Sequence, residues 1–227
     1  MNMPLAAAFM AAALFVAGAA AGQERPALSL TPVESAQWDI AGHVGWLASD
    51  KSDIGAEWDD WYNAFAGGVS AGRYLTPHLK AEIHAAMTRE GRIYSRDPVP
   101  LTEPFPVFRS REHYFRTASV GAGASYQFLE NQWFHPFVGG GVEILREHHR
   151  VRVPEQFLPQ RAPGVPMVAL PAVTLAPEVS YAARPFVTTG FKWYVAERAF
   201  LRTSIQASFS HRGTPHVVWA AGIGADL

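Results

Sequence analysis

The amino-acid sequence predicts an all-β chain: an eight-stranded antiparallel up-and-down transmembrane β-barrel. Three observations lead there. Apolar residues recur at every second position over eight separate stretches. The face opposite them consists mostly of Gly, Ala, Ser and Thr. The composition is also sparse in charge, with 17% charged, 48% hydrophobic and 12% aromatic residues in 227, whereas about 25% charged is typical of a soluble domain.

The same numbers exclude several classes of function. A formal net charge of −1 lacks the basic surplus of a general nucleic-acid binder, so no nucleic-acid partner is expected. There is no cysteine, hence no disulfide framework, thiol nucleophile or iron–sulfur cluster. At the N-terminus, Leu5 to Val16 form a short apolar core, and Ala19-Ala20-Ala21 follow before Gly22-Gln23. That is the A-x-A pattern of a secretory signal. Residues 1–22 are therefore expected to be a signal peptide, 23–36 a short polar leader and 37–227 the barrel.

Successive strand residues point to opposite faces. In the first stretch Trp38, Ile40, Gly42, Val44 and Trp46 share one face, and Asp39, Ala41, His43 and Gly45 the other. The second, Trp61 to Tyr74, sets Phe65, Val69 and Ala71 against Ala64, Ala66, Gly68, Ser70 and Gly72. The third, Leu79 to Glu90, sets Leu79, Ala81, Ile83, Ala85 and Met87 against Lys80, Glu82, His84 and Ala86. The fourth (His113 to Phe128) and fifth (Phe134 to Leu145) carry Val120 and Tyr126, then Val138, Val142 and Ile144, outward. The sixth (Arg184 to Tyr194) and seventh (Ala199 to Phe209) carry Val187, Phe191 and Trp193, then Leu201 and Ile205. The eighth carries Val217, Trp219, Ala221, Ile223, Ala225 and Leu227 against Val218, Ala220, Gly222, Gly224 and Asp226.

Connections alternate in length. Leu75 to His78, Leu129 to Gln132 and Val195 to Arg198 read as tight turns, and Ser49–Glu57, Gly91–Glu112 and Arg146–Ala183 as long surface loops. Short turns at one end and long loops at the other suit a barrel crossing the outer membrane. The loops carry Pro98, Pro100, Pro104 and Pro106, and Pro154, Pro159, Pro163, Pro166, Pro171 and Pro177. Proline removes ladder donors, so these segments are not expected to extend the sheet.

A water-facing surface would be richer in Lys and Glu than the small-residue face is. That face is therefore assigned to the lumen, and the apolar face to lipid. Trp38, Trp133 and Trp193 fall at the turn ends, and Trp46, Trp58 and Trp61 at the loop ends, giving two interfacial belts. The lumen then receives Asp39, Lys80, Glu82, Glu143, Lys192 and Arg202. Both signs in a narrow interior should pair into a structural plug, as ions buried without partners are costly. A narrow channel or small-molecule binding barrel is the alternative.

Gly72-Arg73-Tyr74-Leu75-Thr76-Pro77-His78-Leu79, His135-Pro136-Phe137-Val138-Gly139-Gly140-Gly141-Val142 and the terminal strand resemble the small outer-membrane β-barrels of the OmpA-like transmembrane and OmpX/OmpW type. The resemblance covers nearly the whole mature chain. It implies location in the cell outer membrane, contact with outer-membrane lipids and recognition of the terminal strand by the barrel-assembly machinery. Leu227 stands where the family usually has Phe. The resemblance also implies a structural or surface-interaction role through the long loops, without an enzymatic activity, a cofactor or an attached peptidoglycan-binding module. A monomer is expected.

Two other chemistries are weaker. His113, His148, His149, His211 and His216, with Glu112 and Glu147, fall near the loop end, but their spacing matches no zinc or copper motif, so solvated rim residues and no metal are expected. Ser210-His211 are strand neighbours facing opposite ways, so they do not form a nucleophile–base pair. Arg92, Arg96, Arg109, Arg111, Arg116, Arg146, Arg150 and Arg152 cluster around the two long loops, where guanidinium groups suit phosphate or solvent.

Overall fold

The computed structural model describes residues 37–51, 54, 61–99, 107–129, 133–157, 169–209 and 215–227. The expected signal peptide and leader, Trp58 and the Ser210-His211 pair lie outside these residues. The strands are β1 (Trp38–Asp50), β2 (Trp61–Tyr74), β3 (Leu79–Thr88), β4 (Gly91–Val99), β5 (Val107–Gln127), β6 (Phe134–Val153), β7 (Gln156–Phe157), β8 (Ala169–Leu170), β9 (Val173–Thr174), β10 (Glu178–Tyr194), β11 (Ala199–Phe209) and β12 (Pro215–Asp226). Strands β1, β2, β3, β5, β6, β10, β11 and β12 pair antiparallel in that order, and β12 returns to β1. This is the closed eight-stranded barrel, and closure removes every free sheet edge within the membrane.

The registers fix its geometry. Asp39 pairs with Gly72, then through Glu82, Gly123, Gly141, Phe186, Ser208 and His216 the ladder returns to Ser49. The path comes back to β1 ten residues above its start, so the strands tilt by roughly 40°. Every residue on it faces inward. Outward positions are apolar and exposed, including Val44, Val69, Ile83, Val120, Val142, Ile144, Val187 and Ile223. The assigned faces hold on all eight strands. Trp38, Trp133 and Trp193 lie on the outer surface by the short turns, and Trp46, Trp61 and Trp219 toward the other end.

Two segments differ from the sequence expectation. Gly91–Glu112 and Arg146–Ala183 are not loops throughout. β4 pairs with the first half of β5, from Gly91↔Phe115 to Val99↔Val107. β6 runs on to Val153, and β10 begins at Glu178. Pro98 lies within β4, opposite Phe108. The physical reason is a change of solvent. Beyond the membrane the outer face meets water, so the alternation continues with Arg and Glu outside and Ile93, Ser95, His113, Phe115 and Val153 inside. A reading keyed to outward apolar residues stops at that boundary.

A bulge joins β3 to β4. Between Met87↔Ala118 and Gly91↔Phe115, three residues (Thr88, Arg89, Glu90) oppose two (Arg116, Thr117). The Thr88 hydroxyl accepts the Thr117 N–H at 2.9 Å, and the Arg89 N–H donates to the Phe65 carbonyl at 2.8 Å. The extra residue shifts the phase, so inward positions change from even numbers in β3 to odd numbers in β4.

Candidate functional site in the barrel lumen

The lumen is filled in three layers. At the short-turn end lies a chain of ions. Lys192 Nζ stands 2.5 Å from Asp226 and 3.3 Å from Asp39. Lys80 Nζ is 3.0 Å from the same Asp39 oxygen and 2.7 Å from Glu82. Arg202 closes the chain on Glu82 at 2.8 Å. Three carboxylates thus alternate with three cations across five strands. Tyr74 receives a 2.8 Å hydrogen bond from Lys192 and donates to Asp39 at 3.2 Å, and Tyr194 donates to Asp226. The Lys192 ammonium also lies 3.8 Å from the Phe200 ring centroid. Inner-face glycine makes room for this layer: a Cβ on Gly72 would lie 2.7 Å from Asp39 Oδ1 and 2.6 Å from Lys80 Cδ.

Of the six residues singled out from sequence, five therefore share one network. Glu143 stands apart. It accepts a hydrogen bond from Gln206 at 2.9 Å and lies 3.7 Å from His84. Asp226, Tyr74 and Tyr194 were not singled out. All three lie on the inward parity of their strands, and Asp226 is the last inward residue of β12, so the signal was available.

Above the ions is a cavity of about 90 Å³, lined among others by His43, His84, Glu143, Arg202, Gln206 and His216. Above that, Leu47, Tyr62, Ala64, Ile93 and Phe115 form an apolar cap, with Ile54 and Val218 against it. The Tyr62 hydroxyl donates to the Phe115 carbonyl at 2.7 Å. Lys51 pairs with Glu147 at 2.6 Å and lies 4.3 Å from the Phe115 ring centroid.

The histidines correct the expectation of a solvated rim. His113 and His216 are buried, because β5 and β12 turn them inward. Of these histidines, among the described residues, only His148 takes the outer face, opposite Arg116. Ser95 Oγ is 2.8 Å from His113 Nε2, and His113 Nδ1 is 3.0 Å from His149 Nε2. Sequence spacing could not reveal this row, since it depends on β4 being a strand. The connectivity is that of a nucleophile, a base and an orienting group. Ser95, however, is 1% exposed, and a hydroxyl sealed in this way has no approach for a substrate carbonyl. The row instead ties β4, β5 and β6 together, with Phe115 stacked on His149 at 4.3 Å.

Burial, followed by the neighbouring His149 and Arg111, holds the His113 imidazole below its ordinary 6.5, with Asp97 opposing. The folded site thus resists a proton that the unfolded chain accepts. Its contribution is intact above 6.5 and is lost as pH falls from there through the lowered value. Proteolysis of the β4–β6 extension is expected to accelerate between about pH 7.5 and pH 5. His113→Gln should flatten that dependence, and a flat profile in the unsubstituted protein would refute it.

A closed barrel with an apolar outer band, short turns at one end and long connections at the other is an outer-membrane β-barrel by class. The comparisons agree in fold. The structure is similar to the crystal structure of Neisserial surface protein A, with a TM-score of 0.55 and 12% identity over 85% of this chain and 98% of that one. The N-terminal β-barrel domain of Pseudomonas aeruginosa OprF aligns at a TM-score of 0.47 and 12% identity, covering 84% of this chain and 98% of that one. Ail, the attachment invasion locus protein of Yersinia pestis, aligns at 0.46 and 11%, covering 84% and 99%. At such identities the likeness is one of fold, and the first of the three carries it. No protein-family model matches the chain, and no curated protein matches it in sequence.

Proposed function

We propose that this protein is a non-enzymatic, structural barrel of the cell outer membrane, with its surface-interaction role in the segments above the membrane. One observation carries the reading: an uninterrupted ion chain at one end of the lumen, an apolar cap at the other and an apolar outer wall. Side chains that fill an eight-stranded interior support the wall rather than line a pore. In this reading residues 1–22 direct export, the barrel-assembly machinery reads the strand ending at Leu227, and outer-membrane lipids surround a monomer. The burial of Ser95 supports the absence of hydrolysis.

A second reading, a narrow channel or small-molecule binding barrel, is favoured by the cavity beside His84 and Glu143. Passage would require both the Asp39–Lys192 contact and the Leu47–Phe115 cap to open. Planar-bilayer recordings separate the readings. The protein, shown to be folded by heat-modifiable gel mobility, is expected to give no discrete conductance steps. Reproducible steps would overturn the structural reading in favour of the channel.

A further inference from the structure

The upper edge of the apolar band is not uniform around the barrel. On β1, β2, β11 and β12 its outward residues are aromatic: Trp46, Trp61, Phe65, Phe209 and Trp219 are all exposed. On β5 and β6 no aromatic side chain faces out at that level. One outward position above Ile144 stands Arg146, and two above Val120 stands Arg116. Arg116 pairs directly with His148, and Arg146 with Ala118 on one side and Tyr181 on the other. The two arginines are diagonal cross-strand neighbours, a spacing of about 7–8 Å or less, so both side chains can reach a common point.

Higher on the same face the cations have partners. Arg150 meets Glu90 at 2.9 Å, and Arg92 and Arg152 approach Glu112 at 3.8 and 3.9 Å. Arg116 and Arg146 are exposed and meet no carboxylate among the described residues. Two like charges set diagonally without a counter-ion repel each other. They sit where the hydrocarbon ends and the headgroups of the outer leaflet begin. A guanidinium pair there is complementary in charge and geometry to a phosphate, and the adjoining Val120 and Ile144 continue the surface into the acyl region.

We infer that Arg116 and Arg146, with His148 beside them, form a binding site for the phosphate of an outer-leaflet lipid headgroup. The inference rests on the outer-membrane reading and adds one fixed lipid position to it. The phosphate accepts hydrogen bonds from both guanidinium groups, and the acyl chains of the same lipid lie along β5 and β6. Such a site binds headgroup and chains together, so inorganic phosphate is a poor substitute.

The test uses the full chain folded in phosphatidylcholine vesicles, in the same vesicles containing phosphorylated lipid A, and in phosphatidylcholine vesicles with added inorganic phosphate. Lipid A is expected to slow urea-induced unfolding by about tenfold, an effect that falls as salt rises. Arg116→Gln/Arg146→Gln should abolish the slowing, and Arg116→Lys/Arg146→Lys should keep part of it. Arg198→Gln, which removes one cation at a short turn, should keep all of it. Equal slowing in the Gln double variant would overturn the site, and equal slowing by inorganic phosphate would reassign it to a free anion. Failure to form the heat-modifiable folded species in phosphatidylcholine alone would count against the barrel reading instead.

Discussion

Lys192→Met is expected to destabilise the barrel by about 3–5 kcal/mol, the range for breaking a buried ion pair from one side. Lys192 is 2% exposed, and its ammonium serves Asp226, Asp39 and Tyr74 at once. Met fills nearly the same volume, so the loss reports charge more than packing. Without Lys192, Asp226 keeps only the Tyr194 hydroxyl among the contacts described, while Asp39 keeps Lys80. The neutral pair Lys192→Met/Asp226→Asn should therefore lose less than the sum of its single substitutions. Urea unfolding in phosphatidylcholine vesicles reads both values. Additive losses, or a Lys192→Met loss under about 1 kcal/mol as for exposed pairs, would mean that water screens the ion chain.

The faces of this barrel could be read from sequence because parity is a local property. Asp39 and Trp38 are adjacent, and whichever faces lipid, the other does not. The partners could not be read, because register depends on strand stagger. Lys192 meets Asp39 only because β10 lies three strands from β1 in a sheet whose ladder climbs ten residues per circuit. Glu143 has the same parity as the other lumen charges, yet the climb of the ladder places it beside His84 and Gln206.

The upper third of the barrel was hidden for a different reason. Above Arg116 the outer face is mostly polar, so outward charge and inward apolar or histidine side chains invert the pattern that marks a lipid-facing strand. The bulge at Thr88–Glu90 also shifts the phase by one residue. Ile93 and Ser95 then fall on the numbers that face lipid in β3. The proline expectation across 100–106 falls on residues outside the described ones. It fails at Pro98, which sits near the far end of β4, where the ladder is about to finish.

Depth in the bilayer sets the other large effect. On β3 the apolar band runs from Leu79 beside the short turn to Met87 beside the bulge, and Ile83 lies midway, 61% exposed to lipid. Ile83→Arg is expected to cost about 2–4 kcal/mol, because a guanidinium at the bilayer midplane must thin the membrane or extend far to reach water. Val120→Arg should cost less, since Val120 lies only two outward positions below Arg116 but three above Tyr126. Ala118→Arg, next to Arg116, should fall to about 0–1 kcal/mol, the interfacial value. Ile83→Leu serves as the packing control and should be close to neutral. The inner neighbour Glu82 gives the converse: Glu82→Gln acts through Lys80 and Arg202, and its cost should not change with bilayer thickness, whereas that of Ile83→Arg should. Equilibrium unfolding in vesicles of two acyl-chain lengths measures the series. A flat profile across Ile83, Val120 and Ala118 would mean that the outer wall does not face hydrocarbon, which the exposed run from Leu79 to Met87 requires.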